Sequence, residues 1–181
     1  MTLQTREWLY LGSIGATILG LRSLRRIFWA FTLLALPGTL AHEALHFLTG
    51  LLLNGGPVRF SLFPRREGKG WVMGSVTFDH LTWYNAFFIA MAPLLLLPAA
   101  YGLVLWRLQG PLVPTWPEGL GVYVIANLVH ASLPSWQDVK IGARSPIGWI
   151  LLAGCLAWAW HAWQTGQAPA ARGVTSARPP S

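Results

Sequence analysis

Five apolar runs, separated by short segments that hold almost all of the charge, constrain this chain more than any other feature of its sequence. The runs comprise residues 8–21, 27–53, 81–106, 119–137 and 146–163. Only 10% of the residues are charged, well below the roughly 25% of soluble domains, and about 20 apolar residues suffice to cross a bilayer as a helix. The sequence therefore predicts an all-α polytopic membrane protein with four transmembrane helices. The first run, with 14 residues, predicts a short N-terminal apolar helix, and whether it crosses is left open.

Tryptophan and charge are placed as in a membrane protein. Most of the 11 tryptophans lie near the ends of the apolar runs, and indole rings favour the headgroup level. The net charge of +7 comes from short clusters between the runs, and no nucleic-acid-binding motif accompanies it. We therefore expect contact with a lipid bilayer, no nucleic-acid partner, and an integral multi-pass location in a prokaryotic cell membrane. The sequence does not define the oligomeric state.

The segment after the second run changes from a helical to an alternating pattern. In residues 57–79, apolar and polar side chains alternate on both sides of the turn-forming stretch PRREGKG, a pattern typical of a β-hairpin. Residues 164–181 are rich in Ala, Pro, Gly and Ser, which is typical of disorder. We therefore predict one membrane-embedded domain, residues 1–163, with a hairpin at the membrane surface after the second run, and a disordered tail.

The stretch HEALH, residues 42–46, holds the only Asp, Glu, Lys or Arg inside the apolar runs. In a helix, His42 and His46 lie one turn apart on the same face, so both imidazoles can bind one zinc ion at about 2.0 to 2.1 Å. Glu43 is offset by about 100° around the helix, where it can take a proton from a metal-bound water without being a ligand. This is the HExxH arrangement of zinc metalloproteases.

A structural polar cluster is the alternative interpretation of HEALH. In a soluble helix these residues would be ordinary surface side chains, but an ionisable group at membrane depth costs on the order of 3 kcal/mol or more. A merely structural motif offers no partner that offsets this cost. The metal site is therefore the favoured interpretation.

A catalytic zinc site usually has three protein ligands, so a third ligand is expected outside the motif. Glu67 lies in the charged turn, which should be in water. Asp138 follows Pro134, which should break the helix of the fourth run, and the connectivity places this end of the run on the same side as the end of the HEALH helix. We therefore assign Asp138 as the third ligand. The alternative is an interfacial carboxylate that pairs with Lys140 or Arg144.

Three segments appear in an order that resembles the site-2 protease family of intramembrane zinc metalloproteases. They are HEALH, the alternating segment 58–78 and HASLPSWQD at 130–138. Members of that family carry HExxH in an early transmembrane helix, a β-hairpin-like membrane loop after it, and an aspartate ligand in a later helix. The resemblance covers roughly residues 27–141.

The resemblance implies specific roles, with His42, His46 and Asp138 as zinc ligands and Glu43 as the general base. The chain departs from the family pattern at three places, the first of which is that only Pro134 stands in the proline-rich part. It has Gln137-Asp138-Val139 where the family has Leu-Asp-Gly, and His130 where the family has an asparagine eight residues before the aspartate.

Three further polar residues in the runs, Asn85, Asn127 and His130, are candidates for contacts with a substrate. His130 and Asn127 are three residues apart and share a helix face, from which either could donate a hydrogen bond to the oxyanion of the tetrahedral intermediate or to the substrate backbone. The alternative is an interhelical hydrogen bond. Both interpretations stand equally for His130, and the interhelical bond is favoured for Asn127 and Asn85.

The expected function is that of an intramembrane zinc endopeptidase that hydrolyses a peptide bond in or near a transmembrane segment of a substrate protein. One zinc ion would activate the water, and Glu43 would take its proton. The alternative is a non-catalytic, zinc-braced membrane protein that binds hydrophobic segments as a regulator or chaperone. A metal-dependent oxidase or desaturase would need many more histidines than the five present.

Overall fold

The computed structural model describes residues 3–63, 65–67, 70–72, 74–111 and 115–166. Within these ranges the helices are α1 (Leu3–Ser23), α2 (Phe28–Leu52), α3 (Ala86–Met91), α4 (Leu96–Leu108), α5 (Trp116–Ala131), α6 (Trp136–Ala143) and α7 (Pro146–Gly166). The strands are β1 (Pro57–Ser61), β2 (Arg65–Glu67), β3 (Gly70–Val72) and β4 (Ser75–Phe78). Two 3₁₀ turns, Leu24–Arg26 and Ala92–Leu95, connect α1 to α2 and α3 to α4. The fold is therefore mostly helical, with a small antiparallel sheet component.

Several elements differ in extent from the apolar runs that predicted them. The N-terminal helix α1 has 21 residues rather than the predicted 14. Helix α7 continues to Gly166, three residues beyond the predicted end of the domain. The rest of the predicted disordered tail, residues 167–181, lies outside the described part of the chain.

Helix α5 lies at the centre of the bundle, in contact with α1, α2 and α4. The apolar core around it consists of Tyr10, Ile14, Ala100, Val122, Ile125 and Ala126. Ala100 and Ala126 are almost completely buried, and such small side chains let helices pack closely. Close packing around α5 fixes the position of its C-terminal end, where the candidate site begins.

Helices α2 and α5 pack closely at Gly38, directly after the proline of α2. A Cβ atom on Gly38 would lie 2.8 Å from the Asn127 carbonyl oxygen of α5, so any larger residue would separate the two helices. One turn away, the Tyr123 hydroxyl donates a hydrogen bond of 2.6 Å to the Leu34 carbonyl oxygen. These contacts set α2 against the end of α5 and so place the HEALH segment beside it.

The strands form a long hairpin that runs along α2. Strand β1 pairs antiparallel with β4, and β2 pairs antiparallel with β3. Near the end of α2, Gly50 leaves room for the Phe78 ring. Near its start, the Phe28 ring packs against Trp71 at a centroid distance of 4.4 Å. Residues 57–79, for which a hairpin was predicted, therefore contain antiparallel strands, and these cover the face of α2 that carries HEALH.

The distribution of side chains is apolar outside and partly polar inside. Four of the most deeply buried residues are polar, namely Asn85, Asn127, Ser132 and Ser145. Large apolar side chains are instead exposed on most helices, and every side chain of α7 from Trp149 to Thr165 is exposed. Soluble monomers rarely expose apolar surface on this scale.

One helical unit among the described residues, Ala86–Leu108, is long and apolar enough to cross a membrane. Helices α6 and α7 together would meet the same criterion, but they are bent by 92° at the break between them. By length and composition, fewer helices among the described residues could cross a membrane than the four that were predicted. Helix α5 has only 16 residues, and α2 contains Pro37 and the polar HEALH residues, which lower its mean hydropathy.

Candidate metal centre

His42 and His46 lie one turn apart on α2, and their Nε2 atoms approach each other to 3.2 Å. Two nitrogens bound to one zinc ion at about 2.0 to 2.1 Å in tetrahedral geometry would lie about 3.4 Å apart. The separation in the structure therefore matches two ligands of a single ion.

Asp138 of α6 completes the cluster. Its Oδ1 atom lies 3.3 Å from His46 Nε2, and its Oδ2 atom lies 3.6 Å from His42 Nε2. One ligand atom of each residue lies within 4.8 Å of those of the other two. The three residues that the sequence suggested as ligands are thus brought together, in a cluster that could hold one metal ion.

Backbone carbonyls on two other helical segments orient the imidazoles. His42 Nδ1 donates to the Ala131 carbonyl oxygen at the end of α5, and His46 Nδ1 donates to the Ile89 carbonyl oxygen of α3, each at 2.7 Å. A carbonyl oxygen can only accept, so both imidazoles carry their proton on Nδ1. Both Nε2 atoms therefore present lone pairs toward the same point, as is typical of histidine ligands held by a second layer of hydrogen bonds.

The lone pairs of two Nε2 atoms and a carboxylate converge on one small space. Such an arrangement is repulsive unless a positive charge lies among the donor atoms, either a metal ion or a second proton on one imidazole. Two imidazoles with one carboxylate are a ligand set that is found in catalytic zinc sites, with the fourth position left for water or substrate. The residues present therefore fit a zinc ion.

A capping box at the start of α6 holds Asp138 in place. The Ser135 backbone N–H donates to Asp138 Oδ2 at 2.7 Å, and the Asp138 backbone N–H donates to Ser135 Oγ at 3.2 Å. This reciprocal pair satisfies two free N–H groups of the helix start. The alternative partner Lys140 instead places its ammonium over the Trp136 ring, 5.6 Å from the ring centroid. Asp138 is therefore directed toward the imidazoles.

Glu43 lies beside the cluster but outside its ligand set. Its side chain is 7% exposed and faces Gly74 of the hairpin, where a Cβ atom would lie 2.8 Å from Glu43 Oε1. Glu43 also lines the same cavity as the three ligand residues. A carboxylate in this position can reach a water molecule at the metal without binding the metal itself.

The cluster opens into a cavity of about 960 Å³, at the upper end of the usual range for ligand sites. Its walls come from α2, β4, the end of α5, and α6. The residues of β4 and its preceding glycine that line it are Gly74, Ser75, Val76, Thr77 and Phe78. The cavity therefore brings a metal cluster, a carboxylate and a strand into one space.

The three additional candidates lie in different surroundings. His130 lines the cavity, and its Nδ1 atom has no hydrogen-bond partner among the described residues. The side chain of Asn127 is 1% exposed, faces Gly38 and donates to the Tyr123 carbonyl oxygen of its own helix. Asn85 is fully buried and bonds to backbone groups of the connecting segments. Only His130 of the three is placed to touch a bound substrate.

Several residues that position the site were not found from the sequence. Ser135 and Asp138 have the S-x-x-D spacing of a capping box, and this spacing could have predicted the start of α6. Gly74 carried no comparable signal, because a glycine in an alternating segment is typical of any hairpin. The hydrogen bonds that His42 and His46 make to the carbonyl oxygens of Ala131 and Ile89 could not be predicted, because every residue has a backbone carbonyl whatever its side chain.

Comparisons with known proteins do not add to this description. No family model, no curated protein and no solved structure matches the chain. The likeness to site-2 proteases therefore stays a resemblance that is carried by the HExxH motif, the hairpin and the later aspartate.

Proposed function

We propose that this protein is a membrane-embedded zinc endopeptidase that hydrolyses a peptide bond in or near a transmembrane segment of its substrate. The convergence of His42, His46 and Asp138 on one point, with Glu43 beside them, carries this proposal. These residues come from two helices that are distant in the chain, and the cluster opens into a cavity rather than being closed on all sides. A closed site is typical of structural zinc, whereas an accessible one is typical of catalytic zinc.

The side-chain distribution supports a membrane location. Apolar side chains that are exposed on α1, α2, α4 and α7 would face lipid, and the buried asparagines and serines would bond inside the bundle, where lipid offers no partners. The helical unit Ala86–Leu108 would span about 35 Å. On this proposal α2, α5 and α7 also lie in the membrane, with α2 and α5 shielded by their neighbours along part of their surface.

Zinc would supply Lewis acidity toward the scissile carbonyl and lower the pKa of water. Glu43 takes the proton of the attacking water and later passes it to the leaving amine. His42 and His46 keep their orientation through the carbonyls of Ala131 and Ile89, so the proton of each imidazole stays on Nδ1. Burial of Glu43 excludes bulk water and keeps its carboxylate beside the reacting atoms.

Strand β4 gives the cavity a way to hold substrate backbone. A peptide bond in a helix is protected by its own hydrogen bonds, so the substrate must unwind before attack. Residues 75–78 pair with β1 on one side and line the cavity. An extended substrate segment added to the free edge of β4 would lie beside Glu43 and the metal ligands, as in β-augmentation.

Metal content and cleavage test this function together. Purified wild-type protein in mild detergent should bind one zinc ion per chain and cut a model transmembrane substrate. Asp138→Ala should lose most of the zinc, whereas Glu43→Gln should keep the zinc and lose cleavage. If wild type and Glu43→Gln bind zinc equally and neither cuts any of a broad panel of transmembrane substrates, the non-catalytic, zinc-braced function replaces the protease. If wild type binds no zinc, the polar-cluster interpretation of HEALH stands.

A further inference from the structure

The hairpin joins the C-terminal end of α2 at one end of the cavity, and Arg25 lies at the other end. It belongs to the 3₁₀ turn Leu24–Arg26 that precedes α2, and it lines the cavity together with Phe31 and Trp71. Its guanidinium carbon lies 5.5 Å from the centroid of the Phe31 ring. Arg25 is exposed, so its guanidinium lies at the mouth of the cavity, where it contacts both solvent and the aromatic ring.

No carboxylate neutralises this charge within the described part of the chain. The ion pairs there involve His42, His46, Arg107 and their acidic partners, and none involves Arg25. The acidic residues that line the cavity, Glu43 and Asp138, belong to the metal end. Among the described residues, the cavity thus has acidic side chains at one end and, at the other, a cation with no acidic partner.

The distance between the two ends is set by α2. Phe31 and His42 are 11 positions apart, which corresponds to about 16 Å along a helix axis. An extended peptide rises about 3.3 Å per residue. A substrate strand with its scissile bond at the metal therefore reaches the Arg25 end about five residues away.

His130 belongs to the same end of the cavity. Its ring meets the Phe31 ring edge to face at a centroid distance of 5.9 Å, so Arg25, Phe31 and His130 form one continuous patch. An imidazole N–H can add a second donor to that of the guanidinium. The patch therefore offers a cation, an aromatic wall and a further polar group to one bound side chain.

We propose that Arg25 forms a carboxylate-binding subsite that selects substrates with an Asp or Glu about four to six residues from the scissile bond. This inference rests on the proposed peptidase function and adds a substrate preference to it. A guanidinium recognises a carboxylate by paired, charge-assisted hydrogen bonds. Because Arg25 is exposed, solvent screens such a pair, and its contribution to binding is small.

The first test measures kcat/KM for a series of transmembrane peptides that carry one Glu or one Gln at successive positions on both sides of the scissile bond. Wild type should prefer Glu over Gln by about threefold at one position four to six residues away, because an exposed ion pair changes binding by only a few-fold. Arg25→Gln should lose this preference. The matched control Arg26→Gln changes a neighbour that is exposed like Arg25 but does not line the cavity, and it should keep the preference.

Charge reversal separates recognition from a structural role. Arg25→Glu should prefer Lys over Glu at the same substrate position, and a variant that is merely misfolded would show no such reversal. Equal cleavage of Glu and Gln peptides by wild type overturns the subsite. So does a loss of activity in Arg25→Gln that is equal for all peptides and varies with the anionic lipid content of the vesicles, because Arg25 would then bind a lipid headgroup.

A binding measurement keeps this inference distinct from the peptidase itself. Fluorescent peptides of the same series are titrated against Glu43→Gln protein, with and without the Arg25→Gln change. If no peptide is cut by wild type but Glu peptides still bind more tightly in an Arg25-dependent manner, the peptidase proposal fails and the subsite stands. If peptides are cut but neither binding nor cleavage depends on their charge, the subsite alone is wrong.

Discussion

A Cβ atom on Gly74 would lie 2.7 Å from Cγ and 2.8 Å from Oε1 of Glu43, so the hairpin touches the side chain that is proposed to act as base. Glu43 belongs to α2 and Gly74 to the segment just before β4. The hairpin therefore does more than cover the cavity, since the absence of a side chain at position 74 defines the space in which the Glu43 carboxylate lies.

Gly74→Ala should reduce kcat by about tenfold or more while zinc content stays at the wild-type value. The added methyl group must displace the Glu43 carboxylate, and a misplacement of about 1 Å can cost on the order of 100-fold in rate. Gly102→Ala is the matched control, because a Cβ atom there meets nothing within 4 Å. Unchanged kcat in Gly74→Ala would show that Glu43 tolerates the displacement and would weaken its assignment as base.

Ser135→Ala should weaken zinc binding by about 10-fold to 100-fold, the range seen when groups that orient metal ligands are removed. The Ser135 side chain accepts from the Asp138 backbone N–H, and loss of this bond frees the start of α6 that carries the ligand. Competition with a fluorescent zinc chelator measures the affinity. Thr115→Ala is the control, since Thr115 precedes α5 without a side-chain cap bond, and equal affinities in the two variants would contradict a positioning role for Ser135.

The members of the candidate metal cluster could be predicted from sequence because their spacing is local or nearly so. His42 and His46 are four residues apart in a helix, and that spacing alone fixes their common face. Asp138 required one further step, namely the reasoning that consecutive membrane crossings bring the ends of two helices to the same side. The structure brings the three side chains together, whereas the membrane crossings themselves stay a prediction.

Features that depend on tertiary packing could not be predicted in the same way. Asn85 and Asn127 were candidates because asparagine is costly in an apolar run, yet their partners are backbone groups and, for Asn127, the close approach of Gly38. The bend between α6 and α7 could not be predicted either. The Ser145-Pro146 pair indicates a helix boundary, but it does not give the 92° angle between the two helices.

Proline substitutions at Ser75 and Val76 of β4 should separate hairpin stability from substrate binding. Successive strand residues direct their N–H groups to opposite edges, so one of these two residues bonds to β1 and its neighbour faces the free edge. Proline at the free-edge position should leave the hairpin intact, keep the zinc and abolish cleavage, because proline cannot donate to an added substrate strand. Proline at the paired position should instead disturb the β1–β4 ladder.

Circular dichroism, zinc content and cleavage rate identify which of the two prolines leaves the fold unchanged. If that variant cuts the model substrate at the wild-type rate, substrate does not add to the edge of β4, and the cavity must hold it by side-chain contacts alone.

Gly38→Ala should destabilise the protein by about 1 to 3 kcal/mol, the usual cost of forcing an extra group into a packed interior. The new Cβ atom would lie 2.8 Å from the Asn127 carbonyl oxygen and 3.0 Å from Ala131 Cβ, so α2 and α5 must move apart. The same movement would lengthen the hydrogen bond from His42 to the Ala131 carbonyl oxygen, and zinc affinity should therefore fall together with stability.

Gly20→Ala is the control, because a Cβ atom there meets nothing within 4 Å and alanine is favoured over glycine in a helix by about 1 kcal/mol. Unfolding in detergent measures the stability of both variants, and zinc titration measures their affinity. A loss of stability in Gly38→Ala without any loss of zinc affinity would show that the α2–α5 contact does not control the orientation of His42.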